Sequence, residues 1–181
     1  MTRIFWLIPF IPALSTLILA VFGRKLPKKY VSWQACLALF ASFIISAISF
    51  FGLLQISHEN YPLVKSLFSW ISAGSFDVNL SFQLDPLSAV MALVVSGVGF
   101  IIHVYSVGYM AKDKGYTRYF TYLNLFAFAM LILVMASNIV LMFVGWEGVG
   151  LCSYLLIGFW FEKDSAADAG KKAFIVNRIG D

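Results

Sequence analysis

The chain alternates long apolar segments with short polar ones, a pattern typical of membrane-spanning helices. An α-helix needs about 20 apolar residues to cross a hydrocarbon core of about 30 Å. Five segments approach or exceed this length: residues 5–22, 31–56, 86–109, 119–135 and 139–161. Residues 162–170 are expected to form a polar loop. A sixth apolar segment then runs from Lys171 to Asp181, and such a helix would rise only about 16 Å. We therefore expect five spans and the first part of a sixth, within a fragment of a longer protein.

The longest polar stretch, residues 57–85, has a different period. Apolar and polar side chains alternate along residues 76–84, which is typical of a strand with one buried face. An earlier strand-like segment at residues 66–71 and the turn sequence Ala73-Gly74-Ser75 complete the pattern of a hairpin. We expect a small amphipathic hairpin on the membrane surface, between the second and third spans.

Composition supports a membrane protein. Hydrophobic residues make up 61% of the chain and charged residues 12%, whereas a soluble domain carries about 25% charged residues. The mean hydropathy is +0.86. A chain with so little charge cannot cover its own surface in water, so the bilayer is its natural solvent.

The distribution of basic residues predicts the orientation of the spans. The net charge is +4, but the basic residues lie in short loops, which argues against a nucleic-acid partner. If the spans alternate, one side of the membrane has Arg3 and Lys65, and the other has ten residues: Arg24, Lys25, Lys28, Lys29, Lys112, Lys114, Arg118, Lys163, Lys171 and Lys172. This bias places the N-terminus and hairpin outside and the basic loops in the cytoplasm or matrix. We expect a multi-pass protein of a bacterial inner (plasma) membrane or, alternatively, of an organellar inner membrane.

Glu147 is an acid well inside the fifth apolar segment. A charged side chain at such depth costs on the order of 2.5–3.5 kcal/mol on insertion scales. No Lys, Arg or His lies three or four positions away, so its partner must come from another helix or from water. A carboxyl group deprived of water can exchange a proton near neutral pH, as a proton path requires. The alternative is a protonated Glu147 that only holds helices together through a hydrogen bond.

Three further residues are candidates for the same proton path. Arg178 lies in the sixth apolar segment and needs a partner, which Asp181 or a neighbouring acid can supply; alternatively, Arg178 extends to the membrane interface. His103 lies midway along the third span and is either a proton carrier or a polar contact between helices.

The fifth segment also carries small residues. Gly145, Gly148 and Cys152 share one helical stripe, which permits close helix packing. Gly150 lies on the side of Glu147 and leaves room for water or a partner side chain. Cys36 and Cys152 are expected to be small buried hydrophobic residues. Because no metal-binding spacing, phosphate loop or nucleophile triad is present, we expect no metal, cofactor or redox centre in this chain.

Several motifs resemble one family in the same order along the chain. The segment at residues 145–159, Gly-Trp-Glu-Gly-Val-Gly-Leu-Cys-Ser-Tyr-Leu-Leu-Ile-Gly-Phe, resembles the fifth-helix signature of subunit L of the proton-pumping NADH:quinone oxidoreductase, respiratory complex I (mitochondrial subunit 5). Phe-Ile-Val-Asn-Arg-Ile-Gly-Asp at residues 174–181 is similar to the start of that family's sixth helix. Residues 84–88, 103–106 and 119–126 fit the same family.

The resemblance implies an all-α membrane fold that is the N-terminal part of an antiporter-like protein. Residues 1–110 would form the first three spans with the hairpin at 57–85, and residues 111–181 the start of the proton-conducting domain. Glu147 would be the family's essential glutamate, with Arg178 and Asp181 in its polar network, and a partner lysine would lie beyond the chain given.

The resemblance also implies a proton-translocating function within an enzyme complex. The partners would be other membrane-arm subunits of complex I, the bilayer and protons, whereas NADH, flavin, iron–sulfur clusters and quinone would be bound by other subunits. Two alternatives remain: the large subunit of an Mrp-type sodium/proton antiporter, and a membrane scaffold whose polar residues only join helices.

Overall fold

The computed structural model describes residues 4–56, 61–74 and 76–180. Arg3, Ser75 and Asp181, which the sequence patterns involve, lie outside the described residues, as do residues 57–60 of the polar stretch. Two strands and six α-helices occur within the described ranges: α1 (Leu7–Phe22), α2 (Lys28–Leu53), β1 (Leu63–Ala73), β2 (Phe76–Leu84), α3 (Pro86–Tyr109), α4 (Tyr116–Met135), α5 (Ile139–Ile157) and α6 (Asp164–Gly180).

The first five helices are each long and apolar enough to cross a membrane. This confirms the five predicted spans, with boundaries that differ by a few residues. The helix α2 begins at Lys28, directly after Pro27, whose extended backbone precedes the first turn. The division of the chain between residues 1–110 and 111–181 stays a prediction.

The start of α6 differs from the sequence interpretation, which assigned residues 162–170 to a polar loop. The helix α6 begins at Asp164, so most of that segment is helical and the loop prediction was wrong. Asp164 places a negative charge at the positive end of the helix dipole. Three alanines follow within the next five residues, and alanine has the highest helix propensity.

The hairpin is antiparallel and twisted by two irregularities in register, between Ser66 and Phe68 and between Ser69 and Ile71. The second strand has the predicted bounds, whereas the first is longer than predicted. Val78, Phe82 and Leu84 of β2 are all buried. The alternating pattern therefore marks one buried face, as predicted.

The hairpin packs on helix ends at one side of the bundle. The backbone N–H of Ser137 donates to the Ser81 carbonyl at 3.2 Å, and Asn138 Nδ2 donates to the Asn79 carbonyl at 2.8 Å. Asn138 also caps α5, because its Oδ1 accepts from the Leu141 N–H at 2.9 Å. These contacts fix the turn between α4 and α5 to the hairpin at one end of the bundle.

Two apolar clusters fill the interior of the bundle. The cluster near the hairpin includes Ile8, Phe82, Leu131 and Met135. The cluster at the opposite end is centred on Phe120. Both clusters contain residues of α4, so α4 is the central helix on which the others pack.

The three basic loops meet at the end of the bundle opposite the hairpin. Lys28 Nζ donates to the Ala111 and Asp113 carbonyls at 2.9 and 3.2 Å. Trp160 Nε1 donates to Asp113 Oδ2 at 2.9 Å, and Thr117 Oγ1 donates to the Gly23 carbonyl at 3.4 Å. The loops that the charge distribution assigned to one side of the membrane are therefore in mutual contact.

The small-residue stripe of α5 packs against α4. A Cβ built on Gly145 would lie 2.5 Å from the Leu133 backbone nitrogen, and one built on Gly148 would lie 2.9 Å from the Ala129 Cβ. Cys152, on the same stripe, is buried. The stripe lets the two helix backbones approach closely, as predicted.

Gly145→Ala should destabilise the protein, because the added methyl group would overlap backbone that cannot move aside. Overpacking of this kind typically costs about 1–3 kcal/mol. Thermal unfolding in detergent, followed by circular dichroism, measures the effect. Gly108→Ala is the matched control, because nothing lies within 4 Å of a Cβ at that helical position. Equal stability of the two variants would contradict the close α4–α5 contact.

The contact between Asp113 and Trp160 should be sensitive to acid. Hydrogen bonds from the Trp160 indole and the Gly115 N–H lower the pKa of Asp113 below its ordinary value. The ionised carboxylate therefore stabilises the loops above that ordinary value, and this contribution is lost as the pH falls through the lowered pKa. The effect should be small because the carboxyl group is largely hydrated. We expect acid to change the fluorescence of Trp160, which is measured by subtracting the signal of the Trp160→Phe variant. Asp113→Asn should remove this change. Asp168→Asn is the control and should leave the change intact.

Candidate functional site

Helices α5 and α6 form an antiparallel pair that is closest at its inner end. A Cβ built on Gly170 would lie 3.3 Å from the Gly158 Cα and from the Tyr154 carbonyl oxygen. One turn further along α6, the Phe174 ring lies 5.7 Å from the Tyr154 ring, between centroids. Glycine at both crossing positions lets α6 lie directly on α5.

The polar part of the interface lies deeper in the membrane. Asn177 of α6 faces Gly150 of α5, where a built Cβ would lie 3.1 Å from Asn177 Nδ2. One position further, Arg178 Nη1 and Glu147 Oε1 form an ion pair. Glu147 lies ten positions before Ile157, the last residue of α5, which corresponds to about 15 Å along the axis. The pair therefore lies near the middle of the predicted span.

The two members of the ion pair differ in exposure. The Glu147 side chain is 24% exposed and the Arg178 side chain 55% exposed. The carboxylate is thus held between α5 and α6, while the guanidinium reaches it from a more open side. In a water-poor environment an opposite charge is what makes an ionised carboxylate tolerable. The arrangement can hold one negative charge, that of Glu147, within the span. Movement of the Arg178 cation would change the energy of the ionised carboxylate.

The structure shows one partner for each member of the pair among those that the sequence left open. It supplies the cation for Glu147 from another helix, one of the two predicted sources. For Arg178 it supplies a neighbouring acid within the membrane. Asp181, the other predicted partner, lies outside the described residues, and the role of all three side chains in a proton path stays a prediction.

His103 lies in a different interface. It is buried in α3 at 2% exposure, its Nδ1 lies 2.7 Å from the Gly99 carbonyl, and its ring is 6.1 Å from that of Phe120. His103 Nε2 has no hydrogen-bond partner among the described residues. None of the contacts found in residues 4–56, 61–74 and 76–180 joins it to Glu147. Its part in a proton path also stays a prediction.

Sequence reasoning missed the residues that bring α6 onto α5. Asn177, Gly158 and Gly170 received no role, although Asn177 is the neighbour of the one Arg in the sixth segment. The two glycines flank a polar stretch that was interpreted as a loop, so their contact across two helices was not visible. No cluster of three or more metal-ligating side chains occurs in the part of the chain that the structure describes.

Two family models match most of the second half of the chain and part of the first. Residues 70–120 match the N-terminus of chain 5 of NADH-ubiquinone oxidoreductase (complex I). Residues 136–181 match the transmembrane domain shared by NADH:quinone oxidoreductase and the Mrp antiporter. The second match includes both members of the ion pair.

Named relatives are similar over nearly the whole chain. NADH-quinone oxidoreductase subunit L of Mycobacterium tuberculosis is 46% identical over 180 residues, which cover 99% of this chain and 28% of that protein. NADH-ubiquinone oxidoreductase chain 5 of Hypocrea jecorina is 41% identical over 171 residues, which cover 94% of this chain and 24% of that protein. The chain therefore spans about a quarter of the length of these relatives.

A solved structure shows the same fold at low sequence identity. A chain of the membrane-bound sulfane sulfur reductase, an archaeal respiratory membrane complex, matches with a TM-score of 0.79 and 16% identity. The match covers 98% of this chain and 34% of that one. At this identity the similarity concerns the arrangement of helices alone.

The fold and the charged pair define a class: a multi-pass integral membrane protein with an antiporter-like arrangement of helices. Within that class the chain is similar, over nearly its whole length, to NADH-quinone oxidoreductase subunit L and to NADH-ubiquinone oxidoreductase chain 5.

Gly150→Leu should separate α6 from α5 at the ion pair, because a large side chain cannot share space with Asn177. In a background without Cys36 and Cys152, a short bifunctional thiol reagent should link cysteines placed at Tyr154 and Phe174. We expect Gly150→Leu to reduce the yield at least about threefold, in proportion to the lost close contact. Gly180→Leu is the control, because nothing lies within 4 Å of a Cβ there. Equal yields in the two variants would contradict the packing of α6 described here.

Proposed function

We propose that the chain is part of an antiporter-like subunit of NADH:quinone oxidoreductase that translocates protons across the membrane. Electron transfer from NADH to quinone would occur in other subunits, which would hold the flavin, iron–sulfur clusters and quinone. The observation that carries the proposal is the Glu147–Arg178 ion pair between two membrane helices. The similarity to subunit L and chain 5 supplies the reaction to which this pair is coupled.

The chemistry of the pair assigns different roles to its two members. An Arg side chain does not lose its proton in proteins, so the guanidinium is a fixed charge. The carboxyl group of Glu147 is the member that can gain and lose a proton. While the guanidinium is close, the ionised form is stabilised by the opposite charge; when the cation moves away, loss of solvation favours the protonated form. Movement of Arg178 would therefore load and unload Glu147.

The exposure of Arg178 supports a polar continuation of this path. More than half of its side chain is open in this chain, and a charged group in contact with lipid is costly. We infer that water or another part of the membrane arm covers this side of α6. Such a cover would supply the groups between which Glu147 exchanges protons, and it would include the complex's other membrane subunits.

Two observations favour this function over the alternatives. The named relatives belong to NADH-dependent oxidoreductases rather than to stand-alone sodium/proton antiporters, although the second family model is shared with the Mrp antiporter. A scaffold needs hydrogen bonds between helices, but it does not need a charge pair in the middle of a span, because neutral side chains pack there at lower cost.

Glu147→Gln should abolish most proton pumping, because the amide keeps the shape and hydrogen bonds of the side chain but cannot titrate. In inverted membrane vesicles that contain the full complex, we expect the pumping rate per NADH oxidised to fall at least about tenfold, the scale of losing a proton-transfer group. The measurement combines a pH-sensitive dye with the rate of NADH oxidation. Glu162→Gln is the matched control, because Glu162 is an exposed acid of the inner loop.

Unchanged pumping by Glu147→Gln, in a complex that assembles normally on a native gel, would exclude the proton-carrying role and leave the scaffold. The same vesicles also show whether sodium ions are transported instead of protons. Pumping that requires sodium and survives a proton-conducting uncoupler would instead support the antiporter-type transport of sodium.

A further inference from the structure

A cleft of about 450 Å³ opens at the inner end of the bundle, away from the Glu147–Arg178 pair. It lies between the loop that joins α3 to α4 and the turn that joins α5 to α6. Three basic side chains line it: Lys112, Lys114 and Arg118. Its other walls include aromatic rings of the α5–α6 turn, among them Phe159 and Phe161. The cleft therefore combines positive charge with apolar walls.

Arg118 is the fixed element of this cleft. Its Nη2 donates to the Phe159 carbonyl at 3.1 Å, and its guanidinium carbon lies 4.7 Å from the Phe159 ring centre and 4.9 Å from that of Phe161. These contacts hold the guanidinium at the wall of the cleft, where its permanent positive charge would attract an anion.

The two acids of the cleft cancel only part of this charge. Both oxygens of Asp113 already accept hydrogen bonds, Oδ1 from the Gly115 N–H at 2.6 Å and Oδ2 from Trp160 Nε1 at 2.9 Å. Glu162 is exposed on the turn. Two further cations stand beside these groups: Lys163 Nζ lies 5.6 Å from the Trp160 ring centre, and Lys28 Nζ contacts the Asp113 carbonyl. The surroundings of the cleft thus keep a positive excess.

The position of the cleft selects the kind of anion. It lies where the helices end and the basic loops begin, with Trp160 and Phe161 exposed at its rim, at 43% and 59%. Aromatic side chains at this level mark the boundary between hydrocarbon and headgroups. Basic pockets at the inner ends of membrane helices bind acidic lipid headgroups. We propose that the cleft binds the phosphate of an anionic phospholipid from the inner leaflet, with Arg118, Lys112 and Lys114 as its ligands.

Such a lipid would add a further link between two segments that Arg118 and the Asp113–Trp160 hydrogen bond already join. The phosphate would accept from Arg118, which follows the α3–α4 loop, while the acyl chains lie against the exposed rings of the α5–α6 turn. Binding would therefore stabilise the turn from which α6 begins. The proposal does not depend on the proton-translocating role of Glu147.

The test is a titration of the detergent-purified protein, within its complex, with phosphatidylglycerol and with phosphatidylcholine, followed by native mass spectrometry. Lys112→Gln combined with Lys114→Gln should weaken phosphatidylglycerol binding at least about tenfold, because each cation near the headgroup contributes about 1 kcal/mol. These side chains are exposed, so the double variant should fold normally. Arg118→Lys keeps the charge but loses the planar group that is fixed on the Phe159 carbonyl and the two rings, and we expect it to weaken binding as well.

Lys25→Gln combined with Lys29→Gln is the matched control, because it removes the same charge from the same side of the membrane but away from the cleft. Equal binding by both double variants and the original protein, or equal weakening by both, would overturn the proposal. So would equal affinity for phosphatidylcholine and phosphatidylglycerol. Inorganic phosphate forms the last arm: displacement of the lipid by phosphate at equal concentration would show a site for free phosphate and overturn the lipid assignment.

Discussion

The ion pair between Glu147 and Arg178 is the interaction on which the arrangement of the last two helices depends. A carboxylate near the middle of a span is tolerable only with a cation or water beside it, and here the cation comes from α6. To reach it, α6 must lie directly on α5. The glycines at positions 150, 158 and 170 provide that proximity, since each faces the opposite helix with no side chain of its own. The charge of Glu147 and the glycines of α5 and α6 therefore serve one purpose, because the glycines allow the helix contact that the charge requires.

The inner loops set where α6 begins and so contribute to the same geometry. Helix α6 packs mainly on α5, and the turn between the two helices is held by Arg118 and by the Asp113–Trp160 contact. These contacts come from the first turn of α4 and from the loop that joins α3 to α4. Helix α6 is therefore held by loop contacts near its start and by the ion pair near Arg178.

The sequence predicted the parts of the fold that have a clear apolar signal. The five spans were found because a helix that crosses lipid needs about 20 apolar residues, and the strand Phe76–Leu84 was found because one buried face makes apolar and polar residues alternate. The start of α6 was missed because residues 164–170 are small or polar. Such a segment has no apolar pattern that distinguishes a helix from a loop. The candidate acid was found from its burial cost alone, and the family resemblance placed Arg178 in its polar network. The local pattern around Arg178 left both Asp181 and an acid on another helix open as partners, and the packing of α6 on α5 shows that Glu147 is one partner.

The fixed charge of Arg178 limits the mechanisms that the pair can serve. Two titratable partners could pass a proton directly between them, whereas a guanidinium cannot accept or release one. The guanidinium can therefore influence Glu147 only through the distance between the two charges. At an effective dielectric constant of about 20, a unit charge pair gains roughly 4 kcal/mol at 4 Å and roughly 2 kcal/mol at 8 Å. A displacement of the guanidinium by about 4 Å would thus weaken its stabilisation of the ionised carboxylate by roughly 2 kcal/mol. Transport by this pair therefore requires a third group that draws the guanidinium away, and the open side of Arg178 is where such a group would act.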